Sequence, residues 1–590
     1  MSVIVKNRGL SDSSKKVSSF AHALYRFNLI EMKLPILLFL FVASPLLALA
    51  QPSSGRQQFT RADSLRGSLN KDRTWWNVLH YDITVQPDYN GKTIRGRNVI
   101  QYKVVQGEHS PRMQVDLQEP LHIDSVVFNK GRKLDFTKDG AAWYIKVPQQ
   151  KAAAVNDITV YYSGTPREAV RAPWDGGWTF TKDSLGRHWM TVTCQGLGAS
   201  VWYPCKDHQS DEPDKGASLS TIVPDSLVAV ANGRLLSTQN NGDGTTTYKW
   251  GVVNPINNYN IIPYIGKYVH FSETYPGEKG ALDLDYWVLD YNEARAKQYL
   301  PREARNTLKA FEHWFGPYPF YQDGFKLVDV PHTGMEHQSA VAYGNHYAPG
   351  YRGRDGSGTG WGMKWDFIVI HESGHEWFGN NITSKDLADM WIHEGFTNYS
   401  ETLFVDYHFG EQAGNEYNAG TRRGIRNDKP IIPAYGVNQQ GSGDMYPKGG
   451  NMLHTIRHSI GNDSLFRRIM RGLNATFYHQ TVTAQQVEGY ISKMAGFNYQ
   501  KVFDQYLRTT GIPNFEYYFS ADGKQVTFRY TNAVAGFNLP LTLRNKTVIK
   551  KIYPTTTWKS LNLSKEEAFL FTAAEIEKMS YIKPMEVSPR

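Results

Sequence analysis

The strongest constraint on how this 590-residue chain folds is a short run of metal-ligand residues, His371-Glu372-Ser373-Gly374-His375, followed by Glu394. Residues four positions apart share one face of an α-helix, so His371 and His375 can direct two imidazoles at one cation. The eighteen residues between His375 and Glu394 leave room for a helix end, a loop and the start of a second helix. The pattern therefore requires two helices that meet at a metal ion.

The types of residue in this motif indicate the chemistry of the metal site. Three protein ligands leave one tetrahedral position of a zinc ion open, which is typical of catalytic rather than structural zinc sites. The sequence predicts one Zn²⁺ ion held by His371, His375 and Glu394. Glu372 lies beside these ligands without being one, and we expect it to act as the general base for a metal-activated water. The alternative is a helix that carries two surface histidines.

The residues around the motif favour helices. Apolar residues recur at helical spacing from Trp365 to Glu372, so the first helix should have a partly buried stripe. Gly379-Asn380-Asn381 is suited to a helix C-terminus. A second helix is predicted from Asp389 to His408, and Glu394 lies inside it.

Changes in apolar periodicity divide the chain into regions. Alternating apolar and polar residues from Trp75 to Ser272 predict a large antiparallel β domain. The spacing then becomes helical, and it returns to strands in the tail, where Asp522-Gly523 marks a hairpin. We predict a multidomain α+β chain: a leader (1–50), an N-terminal β domain (51–272), a mainly helical zinc catalytic domain (273–512) and a small C-terminal β-sandwich (513–590).

The amino terminus has the composition of an export signal. Lys33 precedes an apolar run that ends in Ala48-Leu49-Ala50, a cleavage-site pattern immediately before Gln51. The run is about 17 residues long, which is short for a membrane-spanning helix. We expect a cleaved signal peptide, no stable membrane span afterwards, and a bacterial periplasmic or secreted protein; an uncleaved anchor is the alternative. Met32 opens this segment and is a candidate for the true start.

The distribution of charge excludes a nucleic-acid partner. The formal net charge is +9, but residues 1–50 hold six Lys/Arg and two Asp/Glu, so the other 540 residues carry only about +5. No run of lysine and arginine is dense enough to form a basic stripe.

The chain has two cysteines, Cys194 and Cys205. They could pair in an oxidising compartment, or remain buried thiols on neighbouring strands. Two cysteines eleven positions apart do not make a metal site by themselves.

Four sequence elements, in this order along the chain, are shared with one enzyme family. They are Thr333-Gly334-Met335-Glu336-His337, His371-Glu-x-x-His375-Glu-Trp-Phe-Gly-Asn380, Trp391-x-x-Glu394-Gly-Phe and Tyr446-Pro447-Lys448-Gly449. Cys194-Gln195 and Tyr203-Pro204-Cys205-x-Asp207 also resemble the β-domain edge of that family's cleft. Over nearly all of its mature length, the chain resembles the gluzincin zinc aminopeptidases, the family of aminopeptidase N and leukotriene hydrolase.

This resemblance implies an architecture and a set of roles. It implies a saddle-shaped β domain, a thermolysin-like catalytic domain and a small β-sandwich. Tyr446 is implied as a second catalytic residue that hydrogen-bonds the oxyanion. Gly334, Met335 and Glu336 are implied to bind substrate, with Glu336 pairing with its free ammonium and Gln195 adding a hydrogen bond. Alternatively, Tyr446 is a buried core tyrosine, Glu336 is a solvated loop acid and Gln195 is an amide at a strand edge.

The function implied is that of an exported zinc aminopeptidase acting on peptides with a free N-terminus. Thr333 and His337 depart from the family's glycine and asparagine, so a zinc metalloendopeptidase that has lost amine anchoring is an alternative. A catalytically silent peptide-binding protein is a third. The preferred N-terminal residue, the peptide length limit and the oligomeric state depend on loops and surfaces that sequence patterns do not place.

We expect the exported protein to begin at Gln51, because a signal peptidase cuts after a small-x-small pattern such as Ala48-Leu49-Ala50. N-terminal sequencing of the protein recovered from the periplasm or the medium checks this. Recovery of exported protein that still begins at Met1 or Met32 would contradict it.

Overall fold

The structure is a computed structural model that describes residues 59–589. The predicted leader at residues 1–50 lies outside the described residues. Within the described range, no helix is both long enough and apolar enough to cross a membrane.

The first part of the described chain is a β region preceded by a short helix, α1 (Arg61–Gly67). Its strands are β1 (Trp76–Asp88), β2 (Thr93–Val104), β3 (Arg112–Asp116), β4 (His122–Phe128), β5 (Arg132–Leu134), β6 (Phe136–Asp139), β7 (Ala142–Lys146), β8 (Val155–Gly164), β9 (Gly177–Lys182), β10 (His188–Thr193), β11 (Ala217–Pro224), β12 (Val228–Val230), β13 (Arg234–Asn240), β14 (Thr245–Val252) and β15 (Tyr264–Gly266). They form sheets in the orders β13-β14-β11-β1-β2-β8-β4-β5, β12-β15-β10-β9 and β3-β7-β6. Most neighbours are antiparallel, as predicted, although β1 and β11 are parallel.

The alternation of residues in β1 explains why this segment is a strand. Tyr81, Ile83 and Val85 are fully buried, while the residues between them are partly exposed. The carboxylate of Asp88 accepts hydrogen bonds from the backbone amides of Asn90 and Gly91 and so fixes the turn into β2. β1 and β2 therefore form a hairpin that turns at Asn90-Gly91.

A mixed five-stranded sheet begins the catalytic region. Its strands are β16 (Tyr268–Gly277), β17 (Gly280–Leu289), β18 (Phe325–Asp329), β19 (Gly334–Met335) and β20 (Val341–Tyr343), in the order β16-β17-β18-β20-β19. The predicted domain boundary at residue 272 falls inside β16, which pairs with β17 along its length. Because β19 is last in the sheet, Gly334 and Met335 lie on an edge strand.

Helices form most of the catalytic region. They are α2 (Glu293–Phe315), α3 (Phe367–Gly374), α4 (Trp391–Phe409), α5 (Glu411–Thr421), α6 (Pro447–Ile460), α7 (Asp463–Thr476), α8 (Ala484–Ala495) and α9 (Gln500–Arg508), and a parallel pair, β21 (Ile382–Ser384) and β22 (Gln480–Val482), joins them. Helix α3 ends at Gly374 rather than near Gly379. Residues 375–381 instead form a turn in which the Asn380 amide donates to the carbonyl of His375.

Two glycine positions allow three helices to approach closely. A Cβ at Gly374 in α3 would lie 2.6 Å from Ser400 Oγ of α4. A Cβ at Gly449 in α6 would lie 3.0 Å from the Cα of Gly395 in α4. Glycine inside a helix lowers the stability of the helix by about 1 kcal/mol relative to alanine. Here it allows α3 and α6 to pack directly on α4.

The C-terminal region is a β domain packed on these helices. It contains β23 (Asn514–Phe519), β24 (Gln525–Thr531), β25 (Leu541–Arg544), β26 (Ile549–Ile552), β27 (Lys559–Asn562) and β28 (Lys583–Glu586), with helices α10 (Lys565–Ala568) and α11 (Ala573–Met579). The sheets have the orders β27-β24-β23-β28 and β25-β26. The predicted hairpin at Asp522-Gly523 is confirmed by the antiparallel pairing of β23 with β24. Buried residues of both regions belong to one hydrophobic cluster.

We expect Gly449→Ala to destabilise the protein by about 1–3 kcal/mol, because the added methyl group meets the backbone of α4. The matched control is Gly489→Ala in α8, where a Cβ would meet nothing within 4 Å. That change should stabilise by about 0.5–1 kcal/mol through helix propensity. Thermal denaturation midpoints measure both effects, and shifts in the same direction would contradict the account of helix packing.

Candidate active site

One cleft of about 830 Å³ collects every site residue that the sequence predicted. Its lining includes Gln195, Gly334, Met335, Glu336, His371, Glu372, His375, Glu394 and Tyr446. These residues come from the loop after β10, from β19 and α3 with the residue that follows each of them, from α4, and from the residue before α6. The fold thus brings together residues that are up to 251 positions apart in the chain.

The three predicted ligands converge at the junction of α3 and α4. Nε2 of His371 lies 3.9 Å from Glu394 Oε2, and Nε2 of His375 lies 3.4 Å from the same oxygen. Glu394 Oε2 is buried and has no hydrogen-bond partner among the described residues. Tetrahedral zinc with bonds of 2.0–2.2 Å requires ligand atoms about 3.3–3.6 Å apart. The donor set therefore fits a single zinc ion.

A hydrogen bond on the far side of each imidazole fixes the ring. His371 Nδ1 lies 2.8 Å from Glu401 Oε1, and His375 Nδ1 lies 3.1 Å from the carbonyl oxygen of Phe378. Both acceptors require the proton on Nδ1, which leaves each Nε2 lone pair free to bind a metal.

Glu401 is a functional residue that the sequence reasoning missed. Its second carboxylate oxygen accepts a 2.6 Å hydrogen bond from the hydroxyl of Tyr417. Asn398 Nδ2 donates to the other oxygen, Glu401 Oε1, at 3.2 Å. Glu401 lies seven residues after Glu394, two turns along the same face of α4, and this spacing is the signal that could have identified it.

Glu336 is held at the edge of the ligand cluster. Gln195 Nε2 donates to Glu336 Oε1 at 2.6 Å and to Glu394 Oε1 at 3.0 Å. The hydroxyl of Tyr259 donates to Glu336 Oε1 at 2.9 Å, and Asn380 Nδ2 donates to the Glu336 carbonyl at 2.9 Å. Neither Tyr259 nor Asn380 was predicted as a site residue. Together these donors fix Glu336, whose carboxylate is buried, next to the metal ligands.

Gly334 brings the backbone of β19 against Glu372. A Cβ at Gly334 would lie 2.7 Å from both Glu372 Oε1 and Ile368 Cγ2, so only glycine fits there. Burial raises the pKa of Glu372 to about 7, against the opposing positive charge of His371.

Tyr446 directly precedes α6, and its ring lies beside the ring of His371, with centroids 6.1 Å apart. Burial raises its pKa well above the ordinary value, so the hydroxyl keeps its proton and can donate a hydrogen bond. Lys448 is not in the cleft lining; its Nζ donates to the carbonyl of Thr509 at 2.9 Å and ties α6 to the end of α9.

Both cysteines are buried free thiols. Cys194 Sγ lies 3.3 Å from the carbonyl oxygen of Tyr259, and burial raises the pKa of both thiols well above the ordinary value. Cys194 therefore supports the strand end that carries Gln195 and has no contact with the ligand cluster.

The fold and the ligand set together are those of a zinc metallopeptidase. A model of the Peptidase M1 N-terminal domain matches residues 77–259, and a model of the Peptidase family M1 domain matches residues 302–506. These two matches cover about two thirds of the chain. The chain belongs to the Peptidase M1 family.

Relatives with assigned names are distant in sequence. Aminopeptidase N of Lactobacillus helveticus is 23% identical over 467 residues, which are 75% of this chain and 52% of the relative. Endoplasmic reticulum aminopeptidase 1 of Mus musculus is 22% identical over 466 residues, 71% of this chain and 47% of the relative. The matched stretch thus spans about half the length of these relatives.

Solved structures show the same fold. The M1 zinc metallopeptidase of Deinococcus radiodurans superimposes with a TM-score of 0.61 at 18% identity, over 74% of this chain and 95% of that chain. A mutant of that protein has been crystallised with a Tyr-Ser-Ala substrate.

We expect Glu401→Gln to weaken zinc binding by about 10–100-fold, because a neutral amide replaces the carboxylate that holds the His371 ring. Competition between the protein and a chelator of known affinity measures the change. Glu416→Gln, on the neighbouring helix and outside the cleft lining, is the matched control and should bind zinc like the unmodified protein. Equal affinities for all three proteins would show that Glu401 does not support the ligand.

Proposed function

We propose that this protein is a zinc-dependent aminopeptidase that removes the N-terminal residue from peptides with a free amino terminus. The position of Glu336 is the observation that carries the proposal. Oxygen and nitrogen atoms of Glu336, Glu372 and His375 lie within 4.8 Å of one another. A carboxylate so close to the metal site leaves space for one residue between a bound ammonium and the scissile bond.

The side chains divide the reaction among them. Zinc, when bound, supplies a Lewis acid for the scissile carbonyl and lowers the pKa of its water to about 7. Glu372 accepts the proton from the attacking water and later delivers it to the leaving amine. The hydroxyl of Tyr446 donates a hydrogen bond to the oxyanion. Glu336 and Gln195 bind the substrate ammonium and hold it in register.

The residues that depart from the family pattern leave this amine anchor in place. His337 is outside the cleft lining, where its Nδ1 lies 2.6 Å from the hydroxyl of Tyr264. Thr333 lines the cleft, but the donors to Glu336 come from other elements. These contacts favour an aminopeptidase over a metalloendopeptidase.

We also infer that the protein is exported. The apolar run that ends at Ala48-Leu49-Ala50 has the length and cleavage pattern of a signal peptide. This supports a periplasmic or secreted enzyme that acts on peptides outside the cytoplasm.

We expect the purified protein to hydrolyse leucyl and alanyl fluorogenic amides and to lose this activity when a chelator removes zinc. Glu372→Gln should retain zinc and lower kcat by about 10²–10⁴-fold, because the general base is lost while the three ligands remain. Metal analysis and initial rates measure the two quantities separately.

N-acetylated versions of the same amides are the control for the amine anchor. Acetylation removes the positive charge that Glu336 binds, so these substrates should not be turned over. Equal rates on free and acetylated amides would contradict the aminopeptidase assignment and favour an endopeptidase.

A further inference from the structure

The cleft carries more negative charge than a metal site requires. Five carboxylates line it, those of Asp175, Glu336, Glu372, Glu394 and Glu401. No lysine or arginine from the described residues is part of the lining. A divalent cation and the proton that Glu372 partly holds, with its pKa of about 7, offset some of these charges, and no lysine or arginine of the described lining offsets the rest. A cleft of one charge sign attracts groups of the opposite sign and disfavours its own.

An exposed aromatic ring lies at the mouth of this cleft. Trp174 is 70% exposed, although it and its neighbours Pro173 and Asp175 all line the cleft. The carboxylate of Asp175 accepts hydrogen bonds from the backbone amides of Val170 and Arg171 at 2.8 and 2.9 Å. The loop is therefore held in shape while the indole is left open to solvent.

The loop that carries Trp174 packs against the segment that carries Gln195. A Cβ at Gly176 would lie 2.8 Å from Leu197 Cδ2, so the Trp174 loop packs directly on Leu197. The Leu197 amide donates to the carbonyl of Gln195, and the Gln195 side chain reaches Glu336. The Trp174 loop and the segment that carries Gln195 therefore lie side by side in the lining of the cleft that contains Glu336.

The indole face is free to receive a cation. Arginines and lysines lie over several rings in this protein, such as Arg112 over Tyr144 at 4.6 Å, but none of these contacts among the described residues involves Trp174. Arg167 and Arg171 belong to the same loop, yet both lie outside the cleft lining. Arg167 is committed to the loop itself, where it donates to the carbonyl of Asp175 at 3.2 Å.

We propose that the enzyme selects peptides whose N-terminal residue is arginine or lysine, with the cationic side chain seated against the indole of Trp174. This inference rests on the aminopeptidase function proposed above. Tryptophan binds cations more strongly than the other aromatic side chains, and a guanidinium can stack on its face. An acidic N-terminal residue would instead place its carboxylate in a cleft lined by five others and by no lysine or arginine of the described residues.

The experiment compares arginyl, lysyl, leucyl and glutamyl 7-amido-4-methylcoumarins on the zinc-loaded protein. We expect kcat/KM for the arginyl amide to exceed that for the glutamyl amide by about 100-fold or more, and the ratio to fall as salt screens the cleft. Trp174→Ala should lower kcat/KM for the arginyl amide about tenfold and for the leucyl amide less than about threefold. Trp174→Phe should lie between the two.

Phe569→Ala is the matched control, because Phe569 is also 70% exposed but belongs to the C-terminal region. It should leave all four rates unchanged. If leucyl amide is hydrolysed but arginyl amide is not favoured over glutamyl amide, this inference is wrong and the aminopeptidase function stands. An equal loss on every substrate in Trp174→Ala would also overturn it. If no amide is hydrolysed, both proposals fail.

Discussion

The site depends on the close approach of α3 and α4, because three donor atoms must come within about 4 Å of one another before a metal ion can bind. Gly374 allows that approach, since any larger residue would meet Ser400. Gly449 and Gly395 do the same for α6 and α4, and so place Tyr446 beside the ligands. The geometry of the metal site is thus a consequence of helix packing at glycines, two of which directly adjoin the ligands His375 and Glu394.

The site also depends on contacts between the β region and the catalytic region. Gln195 follows a β-region strand, yet its amide contacts both Glu336 on the catalytic sheet and Glu394 on α4. Tyr259 contributes another donor from the β region to the same carboxylate. The Glu336 carboxylate has these donors only when the two regions are packed together, so this part of the cleft is a property of their interface.

Helical spacing in one short motif predicted the three ligands, Glu372 and the two helices, because residues four positions apart share a helix face. Gln195, Gly334, Met335, Glu336 and Tyr446 were predicted only from the resemblance to the gluzincin aminopeptidases, and all nine residues line the cleft. The sequence did not predict Tyr259 or Asn380, because their role comes from contacts between segments 77 and 44 residues apart that no local pattern encodes. Glu401 is the exception, because its spacing of seven residues from Glu394 on α4 is a local signal. The end of α3 was misplaced because backbone contacts in the turn, rather than a capping residue, terminate the helix.

The position of β19 at the end of its sheet has a further consequence. Among the described residues 59–589, no strand pairs with the outer side of β19, so an extended peptide can align beside it and pair through its own backbone. Such pairing does not depend on the side chains of the peptide. All substrates would then align with β19 in the same way, and the side chains at the rim of the cleft would determine which substrates are preferred.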